Sequence, residues 1–265
     1  ILSRMCLNNW HYIDRKILSF HKDINFFTGH SGSGKSTIID ALQVVLYANT
    51  DGRGFFNKAA AEDSDRSLIE YLRGMVNMED NNESQYLRNQ DFSTVIVLEF
   101  MRSDTKEKQC VGLVIDVETA SNDYSKRYFF WHRGGLFENE YRMEQRVMSS
   151  EEIREYLARN YEKGAWFATS RNETFRRKLY DEYLGGLDME KFPMLFKRAI
   201  PFKMNSRIEE FVKEYICMEQ DIHIEDMQES VIQYGRMQRK IMDITREVDS
   251  LEQIHEAFLK VEEQK

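Results

Sequence analysis

The chain is poor in the features that stiffen or cross-link small secreted proteins. It has two prolines, Pro193 and Pro201, in 265 residues, so long helices are permitted over most of its length. Its three cysteines, Cys6, Cys110 and Cys217, are odd in number and far apart. That argues against a disulfide framework and for a reducing, cytoplasmic setting. No apolar run approaches the roughly 18 residues that would suggest a membrane span. Ile1 is followed by polar residues within three positions, so no secretory leader is expected. Positive charge is in deficit: 37 Lys and Arg against 45 Asp and Glu give a net −8. A uniformly basic DNA-binding surface is thereby excluded, but a local basic patch is not. None of the six histidines (His11, His21, His30, His132, His223, His255) pairs with Cys or another His at metal-ligand spacing. No Ser-His-Asp or Cys-His constellation is legible either.

What is present is concentrated at Gly29-His30-Ser31-Gly32-Ser33-Gly34-Lys35-Ser36, followed by Thr37. This fits G-x-x-x-x-G-K-[ST], the phosphate-cradling P-loop. The apolar run Ile24–Thr28 before it reads as a buried strand, and the periodic run Lys35–Ala48 after it reads as a helix. Glycines let successive backbone N–H groups converge on phosphate oxygens without Cβ clashes. The helix opening at Lys35 adds unsatisfied N–H groups and a positive dipole end. Gly29, Ser31, Gly32, Ser33 and Gly34 would form the ATP cradle. The Lys35 ammonium would reach the β- and γ-phosphates, and the Ser36 hydroxyl is a hard oxygen ligand for Mg²⁺. Thr37 offers a further hydroxyl on the α-phosphate side.

Taken in order, Met5–Trp10 and Lys16–Phe20 read as strands around a polar turn at residues 11–15, with Ile24–Thr28 as a third. Residues 49–54 carry turn chemistry. Residues 64–73 read as a short helix with Ser64 as N-cap, and the Asn-rich stretch 78–91 as a loop. Three strands with short connections follow, Ser93–Phe100, Val111–Val117 and Arg127–His132, and predict an antiparallel meander. The chain then turns helical and charged: a capped helix at residues 151–159, another at 175–183, and apolar helical periods at 192–196 and 208–215. Leu184-Gly185-Gly186-Leu187 reads as a helix-ending turn. From about residue 224 one long helix is expected to run on. Its Met237, Ile241, Ile244, Val248, Leu251, His255 and Phe258 make an a/d heptad seam interrupted only by His255. A coiled coil and a long surface helix both fit that pattern.

A P-loop subdomain, an antiparallel β insertion and helices feeding a coiled coil resemble, in that order, the N-terminal lobe of an ABC-type ATPase head of the SMC/Rad50 superfamily. Asn8-Asn9-Trp10 is similar to the family's opening strand, and Gly29–Thr37 with Ile38-Ile39-Asp40-Ala41-Leu42 to its extended P-loop. Arg66-Ser67-Leu68-Ile69 with Gly74 resembles the stretch that follows. Residues 47–58 and 67–74 look like the MukB/MksB-type group, which includes the SMC-like ATPases of Wadjet plasmid defence. The resemblance implies an α/β P-loop NTPase fold, with residues 1–223 as the N-lobe and residues 224–265 as the start of a coiled-coil arm. It implies ATP and Mg²⁺ as cofactors, with Gln220 as a Q-loop contact to Mg²⁺, although an ordinary surface glutamine is the other reading. It implies DNA as partner, a homodimer through heads and hinge, and kleisin, KITE and nuclease subunits in a bacterial cytoplasm. The family's signature motif, Walker B aspartate and catalytic glutamate are not in this sequence; the resemblance places them on a returning C-terminal half, so little hydrolysis is expected of this lobe alone. The relatives leave open an SbcC/Rad50-type repair ATPase, a chromosome-organising condensin without nuclease, and, outside the family, a small-molecule P-loop kinase.

Two basic clusters bear on DNA. Lys191, Lys197, Arg198, Lys203 and Arg207 lie in a run without acids, interleaved with Phe192, Phe196 and Phe202. Arg171, Arg176, Arg177 and Lys178 form the second. Such residues bind phosphate backbones without regard to sequence, and equally solvate helix faces or pair with the abundant Glu. By the resemblance, Arg53 and Arg66 are further DNA-contact candidates.

Overall fold

The structure, a computed structural model, describes residues 1–30, 32–49, 68–78, 84–199 and 234–252. The chain divides into two compact units, Ile1–Met204 and Asn205–Lys265.

The first unit is built on a six-stranded sheet in which every pairing is antiparallel. Strands β1 (Leu2–Trp10) and β2 (Ile13–Ser19) form a hairpin. Its turn is tighter than the polar 11–15 stretch suggests: Trp10 pairs with Ile13, leaving only His11 and Tyr12, with His11 at φ 51°. Left-handed backbone is what two-residue hairpin turns demand. After the P-loop come helices α1 (Lys35–Leu46) and α2 (Leu68–Arg73). A small hairpin follows, β3 (Met75–Met78) with β4 (Ser84–Tyr86), part of it within the Asn-rich stretch expected to be a loop. Strand β4, Ser-Gln-Tyr, is short and polar and has little strand propensity. Tertiary contacts anchor it instead: the Arg73 guanidinium lies 3.9 Å from the Tyr86 ring centre. The expected meander is present as β5 (Phe92–Met101), β6 (Lys108–Glu118) and β7 (Asp123–Arg133). A minimal hairpin, β8 (Arg142–Met143) with β9 (Arg146–Val147), leads into α3 (Ser150–Asn160). Strand β10 (Trp166–Thr169) then closes the sheet against β7. Helix α4 (Asn172–Lys178) runs into a π-helical turn (Leu179–Tyr183), and α5 (Lys191–Ala199) follows.

Alternation along the strands divides the core between the two faces of the sheet. Leu7, Ile96, Leu98, Leu113, Phe129 and Trp131 face one side, with α1, α2, α4 and the π-helical turn. Cys6, Val95, Val97, Val114 and Phe130 face the other, under α3 and the segment around Phe137–Tyr141. Gly112 is required on that second face, because a Cβ there would lie 2.4 Å from the Phe130 ring. Helix α3 starts at a complete capping box: Ser149 accepts from the Glu152 amide and Glu152 from the Ser149 amide. The helix-ending turn at Leu184–Gly186 is observed, with Leu184 N–H donating to the Leu179 carbonyl and Gly186 N–H to the Tyr180 carbonyl.

One expected strand does not form. Residues 21–30 are exposed and outside any sheet, and Ile24, Phe26 and Phe27 are 66 %, 84 % and 38 % exposed. An apolar run becomes a strand only where a neighbour takes up its N–H and C=O groups. Here the edge strand β2 pairs only with β1, and a local loop forms instead. The Asn25 side chain accepts from the His21 amide at 2.7 Å and donates to the His21 carbonyl at 2.8 Å.

In the second unit residues 234–252 are helical. The seam residues Met237, Ile241, Ile244, Val248 and Leu251 are between 46 % and 64 % exposed; His255 and Phe258 lie outside the described residues. No helix among the described residues is long and apolar enough to cross a membrane.

Candidate nucleotide-binding site

The glycine loop delivers the chain into α1, whose N-cap is Gly34 in the left-handed region at φ 88°, a conformation costly for side-chain-bearing residues. The loop is also closed by contact: a Cβ on Gly29 would come within 2.6 Å of the Ser33 hydroxyl. The Lys35 ammonium lies across the loop. It donates to the Gly29 and His30 carbonyls at 2.8 Å each and to the Ser33 hydroxyl at 3.3 Å. Ser36 is exposed beside it, and Thr37 turns inward and is buried.

The start of α1 contrasts with that of α3. Helix α3 has a side-chain cap and two acids in its first turn, whereas α1 has no acid there and, among the described residues, no side-chain cap. Among the described residues no side chain caps the amides at the positive dipole end of α1, which lie next to a lysine and a serine hydroxyl. That donor set suits a nucleotide polyphosphate with Mg²⁺. Ser36 is the residue of this loop that would hold Mg²⁺, through its hydroxyl.

Among the described residues, three aromatic side chains tie α1 to the rest of the unit by hydrogen bonds. The Trp10 indole N–H donates to the Thr37 carbonyl at 2.8 Å. The Tyr71 hydroxyl, from α2, donates to the buried Asp40 carboxylate at 2.9 Å. The Tyr180 hydroxyl, from the π-helical turn, donates to the Leu46 carbonyl at 2.7 Å. Trp10 was legible as an aromatic closing the strand before the motif. Tyr71 and Tyr180, 31 and 134 residues from their partners, left no local signal.

Of the other predicted residues, Ser31, Arg53, Arg66, Lys203, Arg207 and Gln220 lie outside the described residues. Lys197 and Arg198 fall in the last turn of α5. In the second basic cluster, Lys178 pairs with Glu182 at 2.9 Å and Arg176 donates to the Met189 carbonyl at 2.7 Å, while Arg171 and Arg177 are exposed. Phe192 and Phe196 pack inward, 6.1 Å from Tyr180 and 6.0 Å from Tyr47 between ring centres. Both are partly buried against the core.

No curated protein matches the chain. A family profile described as the P-loop containing region of AAA domain matches residues 2–63, a little under a quarter of the 265 residues. Motif, loop geometry and profile thus converge on one statement: the chain carries a P-loop NTPase region, with Lys35 and Ser36 at its mouth.

Proposed function

We propose that the chain is the ATP-binding lobe of an SMC/Rad50-type ATPase of the MukB/MksB-like group, and that it uses ATP and Mg²⁺ to act on DNA. The observation that carries this reading is a pairing: a P-loop helix bound to an antiparallel sheet, and a helix at residues 234–252 with its heptad seam exposed. The first serves nucleotide; the second calls for another helix to cover it. The exposed apolar stretch Ile24–Phe27 supports the same reading, because it offers a further strand to a part of the head outside this sequence. Two heads would close on ATP, with Lys35 and Ser36 of one facing the signature motif of the other. Hydrolysis, with a glutamate outside this sequence, would reopen them. The coiled-coil arm would pass that cycle to DNA held by a homodimer with kleisin and KITE subunits. The resemblance to JetC, the SMC-like ATPase of Wadjet, extends the reading to DNA loop extrusion that detects circular plasmids, with a nuclease subunit cutting them.

The test is ATP turnover by the full-length protein with its native partners, with and without circular plasmid. Turnover that rises with plasmid is expected, and plasmid cleavage in the same tube would single out the Wadjet reading. DNA compaction without cleavage would indicate a condensin instead. Turnover indifferent to DNA would overturn the DNA-acting assignment.

A further inference from the structure

The residues that touch phosphate in a P-loop are on the outside of α1, but what sets their position is on the inside. Trp10 is fully buried at the end of β1. Its ring lies 4.8 Å from that of Tyr71, and the two side chains reach Thr37 and Asp40. These targets are three residues apart, hence on one face of the helix. Lys35 and Ser36 immediately precede the buried Thr37, with Ser36 exposed and Lys35 partly so. A helical carbonyl has two lone pairs, so the Thr37 oxygen accepts the indole N–H without giving up its place in the helix. Together the two bonds fix both the height and the rotation of the first turns of α1 against the sheet.

We propose that Trp10 and Tyr71 are positioning residues for nucleotide: they hold the start of α1 in the rotation that presents Lys35 and Ser36 to the phosphates. The proposal rests on the nucleotide-binding reading above. Tyr180 provides an internal comparison. Its hydroxyl also bonds α1, but at Leu46, eleven residues beyond Lys35. Losing that bond costs stability while leaving the phosphate end undisturbed.

The experiment measures MgADP affinity and thermal stability for the full chain and for Trp10→Phe, Tyr71→Phe and Tyr180→Phe. Tyr71→Phe and Trp10→Phe are expected to weaken MgADP binding roughly fivefold each, the scale of one lost hydrogen bond. Tyr180→Phe is expected to lower the melting temperature comparably to Tyr71→Phe and to leave affinity unchanged. A ¹H–¹⁵N spectrum of the unmutated chain adds a readout that does not depend on any variant folding. It contains three indole signals, from Trp10, Trp131 and Trp166. The Trp10 signal, identified by its loss in Trp10→Phe or by sequential assignment, is expected to shift as MgADP saturates. Equal affinity loss in all three variants, or a Trp10 indole signal unmoved at saturation, would overturn the positioning role while leaving nucleotide binding intact. Absence of MgADP binding by the unmutated chain would overturn the nucleotide reading and this inference with it.

Discussion

Lys35→Ala is expected to reduce MgATP affinity by roughly a hundredfold or more while leaving the fold intact. The ammonium would make two or three charge-assisted hydrogen bonds to phosphate oxygens, each contributing about 1.5–3 kcal/mol. In the structure it donates only to exposed loop groups, the Gly29 and His30 carbonyls and the Ser33 hydroxyl. Removing it leaves no buried group without a partner, and stability should change by less than about 0.5 kcal/mol. Equilibrium binding of a fluorescent ATP analogue, read beside a thermal melt, separates the two effects. Loss of binding with an unchanged melt is the expected result. Retained affinity in a folded Lys35→Ala variant would remove the central role given to the loop.

The second large effect lies away from the site. Glu99 is fully buried in β5 and accepts from the Ser3 hydroxyl at 2.7 Å, from Nε of Arg4 at 2.9 Å and from the Leu136 amide at 3.0 Å; Lys108 approaches to 3.4 Å. It fastens β1, β6 and the segment after β7 to the centre of the sheet. Burial pushes its carboxyl up, but the bonds from Arg4, Ser3 and the Leu136 amide outweigh that and hold it at about 2, below the usual 4.5. A pKa depressed by folding gives stability that is complete above the unfolded value and is lost as pH falls through the folded one. Glu99→Gln should therefore cost about 2 kcal/mol at pH 7, less than the roughly 3–5 kcal/mol of a fully buried broken pair because Arg4 is partly exposed. The difference from the unmutated chain should shrink steadily from pH 5 towards pH 2, by roughly what the linkage relation gives. Urea unfolding at pH 7 and at pH 3 reads this directly. A gap that is constant across that interval would show that the ionised carboxylate is not what stabilises the sheet.

Local rules made much of the first unit legible. The P-loop motif, the helix after it, each β-branched strand of the meander and the capped helix at residues 151–159 are written in short local stretches. Non-local partners decided the rest. Ile24–Thr28 has the composition of a strand but lacks a pairing neighbour among the described residues. Strand β4 has the composition of a loop but is anchored by Arg73 on Tyr86. Strand β10 is only four residues long and was concealed between two helices; its pairing with β7 places Phe167 opposite Trp131. At the site, the sequence pattern revealed the residues that face the phosphates. The side chains that tie the helix down from within, Tyr71 near its start and Tyr180 at its far end, became visible only with the fold.

The most direct test of the central claim is backbone hydrogen exchange on the full chain with and without MgATP. If residues 29–37 cradle the phosphates, nucleotide should slow exchange of the amides in that loop and in the first turn of α1. The capped start of α3 should be unaffected. Protection confined to other segments, or none at saturating MgATP, would contradict the assignment of this loop as the nucleotide site.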